Sequence, residues 1–298
     1  METDRENIFF DLKDVFESIR KGSLEIGVSK FGMPAIKTGF RILDYWTNGL
    51  MPGDYIILAG RPSSGKSMFA LNIALQAALA SGKDSLFFSL GTPREKILMN
   101  LFTMISGISP CFASKGSIDV KNLVRIDQKL ATILDADNGK LLVHDELSSI
   151  DELKKEVQSR SDNSNLGIVI IDYLQLCECK SSLNDRAQEL VSISRDLRKI
   201  AMKTKVPIFV LSSVHSDVDL RPMSKRPTLT DLNVPDEVVD DCDMVWMLYR
   251  DELYNRSDDN PSIGTVDLAI LKNRRGKLNL IEMRFIEDMH RFEDISSL

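Results

Sequence analysis

The 298-residue sequence is poor in the side chains that hold metals and make covalent cross-links: it has three histidines and four cysteines. His144, His215 and His290 are scattered, as are Cys111, Cys177, Cys179 and Cys242, so neither a zinc-ligand spacing nor a disulfide framework is present. The C-x-C pair Cys177 and Cys179 therefore reads as ordinary thiols, and a reducing, cytoplasmic setting is expected. No apolar run approaches the roughly 20 residues that cross a bilayer, and no charged segment followed by an apolar one opens the chain, so no membrane is expected as a partner. Positive charge is also in deficit. Thirty-eight lysines and arginines face 44 aspartates and glutamates, a net charge of −6, so any contact with a polyanion must be local.

What is present is an ordinary globular composition, 43% hydrophobic and 28% charged, in a length that suits one large α/β domain with small appendages. In residues 4–20, Ile8, Phe9, Leu12, Val15, Phe16 and Ile19 are spaced by threes and fours, which predicts a helix with one apolar stripe. The segment 21–34 after it carries Gly22, Gly27 and Gly32 without periodicity and reads as a tether. The stripe must be covered, either by the chain's own core or by a neighbouring subunit. From Tyr55 onward, apolar runs at 55–59, 85–90, 141–145, 167–172, 207–212, 244–249 and 265–271 read as strands buried on both faces. They alternate with helical patterns at 67–81, 93–105, 121–135, 150–160 and 184–204. That rhythm predicts a mostly parallel central sheet with helices on both faces. The run 281–286 is expected as a final strand pairing antiparallel at one edge.

The chemistry is concentrated at Gly60-Arg61-Pro62-Ser63-Ser64-Gly65-Lys66-Ser67, a complete G-x-x-x-x-G-K-[ST] element between the strand at 55–59 and the helix at 67–81. Glycines at such a turn let backbone N–H groups converge on phosphate oxygens, and the helix N-terminus adds partial positive charge at the same place. Lys66 is expected to reach the β- and γ-phosphates of ATP, and the Ser67 hydroxyl to hold Mg²⁺. Asp172 follows four apolar residues at the tip of its strand, where ligands of open α/β sheets collect, and is the expected second metal-organising group.

These elements resemble the C-terminal motor domain of DnaB-family replicative helicases. Arg61 to Ser67 is similar to that family's Walker A element, and Ile171-Asp172-Tyr173-Leu174-Gln175-Leu176 to its Walker B region. Collinear matches continue at Thr38-Gly39-Phe40, Leu43-Asp44, Gly49-Leu50, Ile193-Ser194-Arg195, Lys225-Arg226-Pro227 and Tyr249-Arg250-Asp251-Glu252. The resemblance implies a RecA-like P-loop NTPase at 35–298 behind a linker helix and tether at 1–34. It further implies a ring, usually a hexamer, with ATP at each subunit interface, single-stranded DNA in the channel, and primase or a helicase loader as partners. It places Gly60, Pro62, Ser63, Ser64, Gly65, Lys66, Ser67 and Arg250 at the nucleotide. It sets residues 4–20 on the next protomer, and brings Lys272 and Arg274, a K-x-R element, to the neighbour's γ-phosphate. The family's separate N-terminal collar has no counterpart in the sequence, so the motor domain alone is expected.

Three positions depart from the family pattern. Gly91 stands where a glutamate would polarise the attacking water, with Glu95 a helical turn further on; Ser213 stands where a glutamine would sense the γ-phosphate. Asn233-Val234-Pro235-Asp236 occupies the place of an Arg-Glu-Ser-Gly run that contacts DNA. Between Ser216 and Asp241, seven acidic residues outnumber Arg221, Lys225 and Arg226, a net −4 that makes a poor cradle for a polyanion. Those three basic residues are the local candidates for DNA contact. Two readings stay open: an ATP-driven DNA helicase, and a diverged, hydrolysis-poor homologue that binds nucleotide as an assembly or regulatory protein. A RecA- or KaiC-like ATPase fits the Asp-Tyr-Leu-Gln-Leu and Tyr-Arg-Asp-Glu elements less well.

Overall fold

The computed structural model describes residues 35–108, 139–146, 149–162, 165–179 and 185–295. The expected helices at 4–20 and 121–135 and the tether at 21–34 lie outside them. A nine-stranded sheet forms the centre. Its strands are β1 (Tyr55–Gly60), β2 (Asp84–Ser89), β3 (Leu141–His144), β4 (Leu166–Asp172), β5 (Ile208–Ser213), β6 (Met244–Tyr249), β7 (Thr265–Asn273), β8 (Asn279–Ile286) and β9 (Arg291–Asp294). Their spatial order is β3-β2-β4-β5-β1-β6-β7-β8-β9. The first six in that order are parallel; β7, β8 and β9 each pair antiparallel with the strand before.

Strand periodicity splits the apolar side chains between two cores. Ile56 and Leu58 of β1, Ile168 and Ile170 of β4, Phe209 and Leu211 of β5, and Trp246 and Leu248 of β6 point to one face. There they meet α1 (Arg41–Thr47), α2 (Lys66–Ser81) and α3 (Arg94–Ser106). The intervening Tyr55, Ile57, Val169, Ile171, Ile208, Val210, Val245 and Met247 point the other way, against α4 (Ile150–Asp162), α5 (Arg186–Thr204) and α6 (Asp236–Asp241). Continuous apolar runs are the consequence of helices on both faces. α2 presents Ala70, Ala74 and Ala77 to the sheet, and these small side chains let its axis lie close to the strands. α5 starts at Asp185, whose carboxylate accepts from the Ala187 N–H at 2.9 Å, and buries Leu190, Ile193, Leu197 and Ile200 at helical spacing.

The antiparallel end differs from the sequence expectation. The 265–271 run is read there as buried on both faces, and 281–286 as the last strand. β7 instead buries Val266, Leu268 and Ile270 on one face, β8 buries Ile281, Met283 and Phe285 and exposes Glu282 and Arg284, and β9 forms the edge beyond them. β8 shows the alternation of a sheet with one solvated face, while β7 still packs half-buried Ala269 and Leu271 against the second core. Among the described residues no helix is long and apolar enough to cross a membrane.

Candidate nucleotide site

β1 lies between β5 and β6, so the loop leaving it opens at the carboxyl edge of the parallel strands. Gly60 turns there with no room for a side chain: a Cβ would stand 2.6 Å from Ser64 Oγ and 2.9 Å from the Leu248 carbonyl. Gly65 has φ +94°, and a Cβ on it would meet the Phe292 ring at 2.7 Å. Phe292, on β9, thus closes over the loop from the antiparallel end. Lys66 opens α2, and its Nζ donates to the carbonyls of Gly60 at 2.8 Å and Arg61 at 2.9 Å. Burial lowers the Lys66 pKa to about 8, and nearby Arg61 adds to the lowering while Asp172 opposes it.

Asp172, at the end of β4, is separated from β1 by β5 alone in the sheet. It is buried, and one carboxylate oxygen has no hydrogen-bond partner. Burial raises its pKa, opposed by a hydrogen bond with the Ser67 side chain and by the Lys66 charge. An unpartnered buried carboxylate oxygen beside a hydroxyl and an ammonium is costly alone, and it suits a hard cation carrying a phosphate. Among the described residues no group of three or more His, Cys, Asp or Glu side chains is placed to hold a metal. A cation here would take Asp172, Ser67, and oxygens of the phosphate and water, the ligand set that Mg²⁺ favours.

Arg250 leaves β6 and meets the loop from behind. Its NH1 donates to the Ser63 carbonyl at 3.1 Å, its Nε to Glu252 at 2.8 Å and its NH2 to Glu287 at 3.2 Å. The guanidinium also lies 4.6 Å above the Phe285 ring, and it is only 5% exposed. The structure therefore brings Arg250 to the loop's backbone. Pro62, Ser63 and Ser64 stay in the turn itself, with Ser63 at φ +64° and the Ser64 hydroxyl buried without a partner.

Gly91 lies just past β2, where the Leu90 N–H donates to the Asp172 carbonyl at 2.7 Å. The position expected for the water-polarising acid is thus at the site, but no acid occupies it. Glu95 has a 75% exposed side chain 3.5 Å from Arg94, facing solvent. Ser213, at the end of β5, takes part in a polar knot: Gln175 Nε2 donates to Ser212 Oγ and to the Asn233 carbonyl, both at 2.9 Å, and Asn233 donates to Ser213 Oγ at 3.3 Å. Gln175, just past the Asp172 strand, joins two of the three departures from the family pattern, Ser213 and Asn233.

Lys272 and Arg274 stand at the opposite edge of the sheet. β7 pairs Lys272 with Val245 at the start of β6, whereas the phosphate loop follows Gly60, paired with Leu248 near the end of β6. Three residues of strand, about 10 Å, and the loop beyond them separate the basic pair from its own phosphate site. Lys272 Nζ donates to the Val239 carbonyl at 2.6 Å and the Asp240 carbonyl at 3.1 Å, and Arg274 donates to Asp240, so both cations cap the carboxyl end of α6.

The three basic residues considered for DNA contact are brought together in the segment 214–232, each engaged within the chain. Arg221 pairs with Asp231, Lys225 donates to the carbonyls of Asp219 (2.6 Å) and Arg221, and Arg226 pairs with Asp267 and lies 4.8 Å above the Tyr249 ring. A contact not anticipated from sequence joins this segment to the phosphate loop: Arg61 donates to Asp219 and to the Val214 carbonyl. In the sequence Asp219 is one unit of loop charge among seven, and no local pattern marks a pair 158 residues apart.

A family model described as the DnaB-like helicase C terminal domain matches residues 35–294. The replicative DNA helicase DnaB of Haemophilus influenzae is 32% identical over 270 residues, 89% of this chain and 56% of its own length. The chain thus spans little more than half of that relative. One solved ATPase domain superposes with a TM-score of 0.85 at 24% identity, over 97% of this chain and 100% of that one, a likeness of fold. A structure of a DnaB-like replicative helicase, solved for its interactions with primase, gives a TM-score of 0.83 at 25% identity over 99% of this chain and 69% of that one.

Proposed function

Because the chain belongs to the family of DnaB-like helicase C-terminal domains, we propose that it is the ATP-binding motor domain of a ring-shaped replicative DNA helicase. The observation that carries this reading is the separation of one site across the sheet. The phosphate loop and Asp172 open at the carboxyl edge, and Lys272 and Arg274 stand at the other, so the basic pair can serve a nucleotide only on a neighbouring subunit. Gly60 to Ser67 cradle the triphosphate of ATP with backbone amides, Lys66 exchanges its carbonyl partners for β- and γ-phosphate oxygens, and Arg250 holds the loop from behind through Ser63. Ser67 and Asp172 hold Mg²⁺, which neutralises charge developing on the phosphates when bound. Lys272 and Arg274 leave the α6 carbonyls to stabilise the same charge on the neighbour's nucleotide.

In this reading residues 35–298 are the ATPase domain and residues 1–34 a linker helix and tether that joins protomers into a hexamer. Single-stranded DNA passes Arg221, Lys225 and Arg226, and primase or a helicase loader docks on the assembly. A second reading rests on Gly91: a chain lacking the water-polarising acid binds ATP and turns it over slowly, serving as an assembly or regulatory protein. Mixing tests the shared site. Chains carrying Lys66→Ala and chains carrying Arg274→Ala should each be inactive and recover ATP turnover when mixed, because some interfaces then join an intact loop to an intact arginine. A mixture no more active than its parts contradicts the shared site. A parent chain that binds MgATP but hydrolyses it no faster with single-stranded DNA supports the second reading.

A further inference from the structure

The segment 214–232 is a braced unit. It is bridged at its base by Val214 and Leu232, and the pair Arg221 and Asp231 ties its two halves. Thr228 closes a capping box with Asp231. Ties of this kind let an attachment to the phosphate loop pass on a change of position, beside the segment's other tie, Arg226 with Asp267.

That attachment is Arg61. Its Nε donates to both carboxylate oxygens of Asp219 at 3.1 Å, its NH2 joins the same carboxylate, and its NH1 donates to the Val214 carbonyl at 3.0 Å. Three donors of one planar group, on a carboxylate and a carbonyl, fix orientation more tightly than a lysine would. The Tyr254 phenol lies beside the same pair and acts on both of its charges. The pair is 18% and 37% exposed, so its worth to global stability is small and its geometry is its main contribution.

Both ends of this pair touch groups that a ligand would claim. On one side the Arg61 carbonyl accepts from Lys66 Nζ at 2.9 Å; on the other the Asp219 carbonyl accepts from Lys225 Nζ at 2.6 Å. A run of direct bonds therefore links Lys66, Arg61, Asp219 and Lys225. A triphosphate that draws Lys66 away frees the Arg61 carbonyl, and a phosphate backbone that draws Lys225 away frees the Asp219 carbonyl.

We propose that Asp219 couples the nucleotide site, through Arg61, to the basic segment 214–232, so that a nucleic-acid backbone on that segment changes nucleotide affinity. This rests on reading Gly60 to Ser67 as the triphosphate site. Coupling of this kind is reciprocal, and two linked sites typically change each other's affinity by roughly 5- to 150-fold.

The test is the Kd of a fluorescent ATP analogue with Mg²⁺, measured on the full chain with and without saturating oligo(dT). In the unmodified chain the two values should differ by at least about fivefold. Asp219→Asn should bring their ratio to near one while the DNA-free Kd and the thermal midpoint stay close to the parent's. Asp219→Glu, which keeps the carboxylate, should retain the coupling, and Tyr254→Phe should weaken it, giving a second reading of the network should the asparagine variant fail to fold. A merely structural role for Asp219 would shift both Kd values together and leave the ratio unchanged, which overturns the proposal. So does a ratio of one in the unmodified chain with uptake intact. No nucleotide uptake by the unmodified chain would overturn the triphosphate reading itself, a result distinct from lost coupling.

Discussion

Replacing Arg250 with methionine separates two roles that the same residue could play. If it holds the phosphate loop from behind, the loss falls on stability; if it contacts the nucleotide, the loss falls on affinity. Arg250 is 5% exposed and its partner Glu252 has an 18% exposed side chain, so this pair lies close to the buried limit, where removing one partner costs about 3–5 kcal/mol. Glu287, 75% exposed, adds almost nothing. Losing the guanidinium over Phe285, 4.6 Å from the ring, removes about 0.5–2 kcal/mol, and the Ser63 carbonyl loses a donor worth about 1 kcal/mol. These terms overlap, and Glu252 keeps the Gly264 N–H at 2.8 Å, so about 3–5 kcal/mol is expected for the whole. Methionine retains the apolar stem and confines the loss to the polar head. Urea unfolding of the nucleotide-free chain should show that decrease, while the Kd for MgATP of the folded variant weakens by less than about tenfold, about 1.4 kcal/mol. A variant as stable as the parent whose nucleotide affinity collapses would refute the buttress and make Arg250 a direct ligand.

Lys66 gives a pH signature. Its pKa is lowered to about 8 against an ordinary 10.5, so between those values the unfolded chain binds a proton that the folded chain does not. Lys66 thus contributes stability that rises with pH through this window, up to about 3 kcal/mol, and Lys66→Met should remove that slope from urea titrations at pH 7.5 and above. A bound triphosphate needs the charged form, so the Kd should be flat below about pH 8 and weaken by about tenfold per unit above it; a flat profile to pH 9.5 would contradict a Lys66 whose lowered pKa is linked to phosphate binding. Gly91→Glu should raise ATP turnover by about 10²-fold or more over Gly91→Ala. Its Cβ would meet Leu176 Cδ1 at 2.8 Å, the movable end of a side chain, so the fold should accept it, and equal rates for the two variants would contradict the assignment of that position. Lys272→Ala removes a cap from the carboxyl end of α6 and should cost at most about 1 kcal/mol of stability while abolishing turnover; activity at the parent's level would leave Lys272 as a cap only.

The parts of this fold that could be read from sequence are those whose physics is local. β1, β4, β5 and β6 announce themselves because helices on both faces demand unbroken apolar runs, and the phosphate loop because its residues are contiguous, with Gly60 packed against Ser64 four residues on. α1 and α6, at seven and six residues, are too short for a periodicity to emerge. β9 has Phe292 as its one fully apolar residue, and that ring makes the contact closing over Gly65. Its importance comes from a partner more than 200 residues away in the chain. Arg61 with Asp219, Arg250 with Ser63, and Gln175 with Asn233 are likewise tertiary pairs, for which sequence offers charge and polarity but no address. The basic pair at 272 and 274 was legible as a motif, yet only the antiparallel pairing of β7 with β6 places it at the far edge of the sheet.

The most direct measurement of the central claim is titration of the full chain with a fluorescent ATP analogue, with and without Mg²⁺, beside the same titration of Asp172→Asn and Lys66→Ala. Saturable uptake by the parent, weakened by removing Mg²⁺ or the Asp172 charge and abolished without the lysine ammonium, is the expected result. Uptake that does not saturate, or that is the same in all three chains, would contradict a triphosphate site at the end of β1.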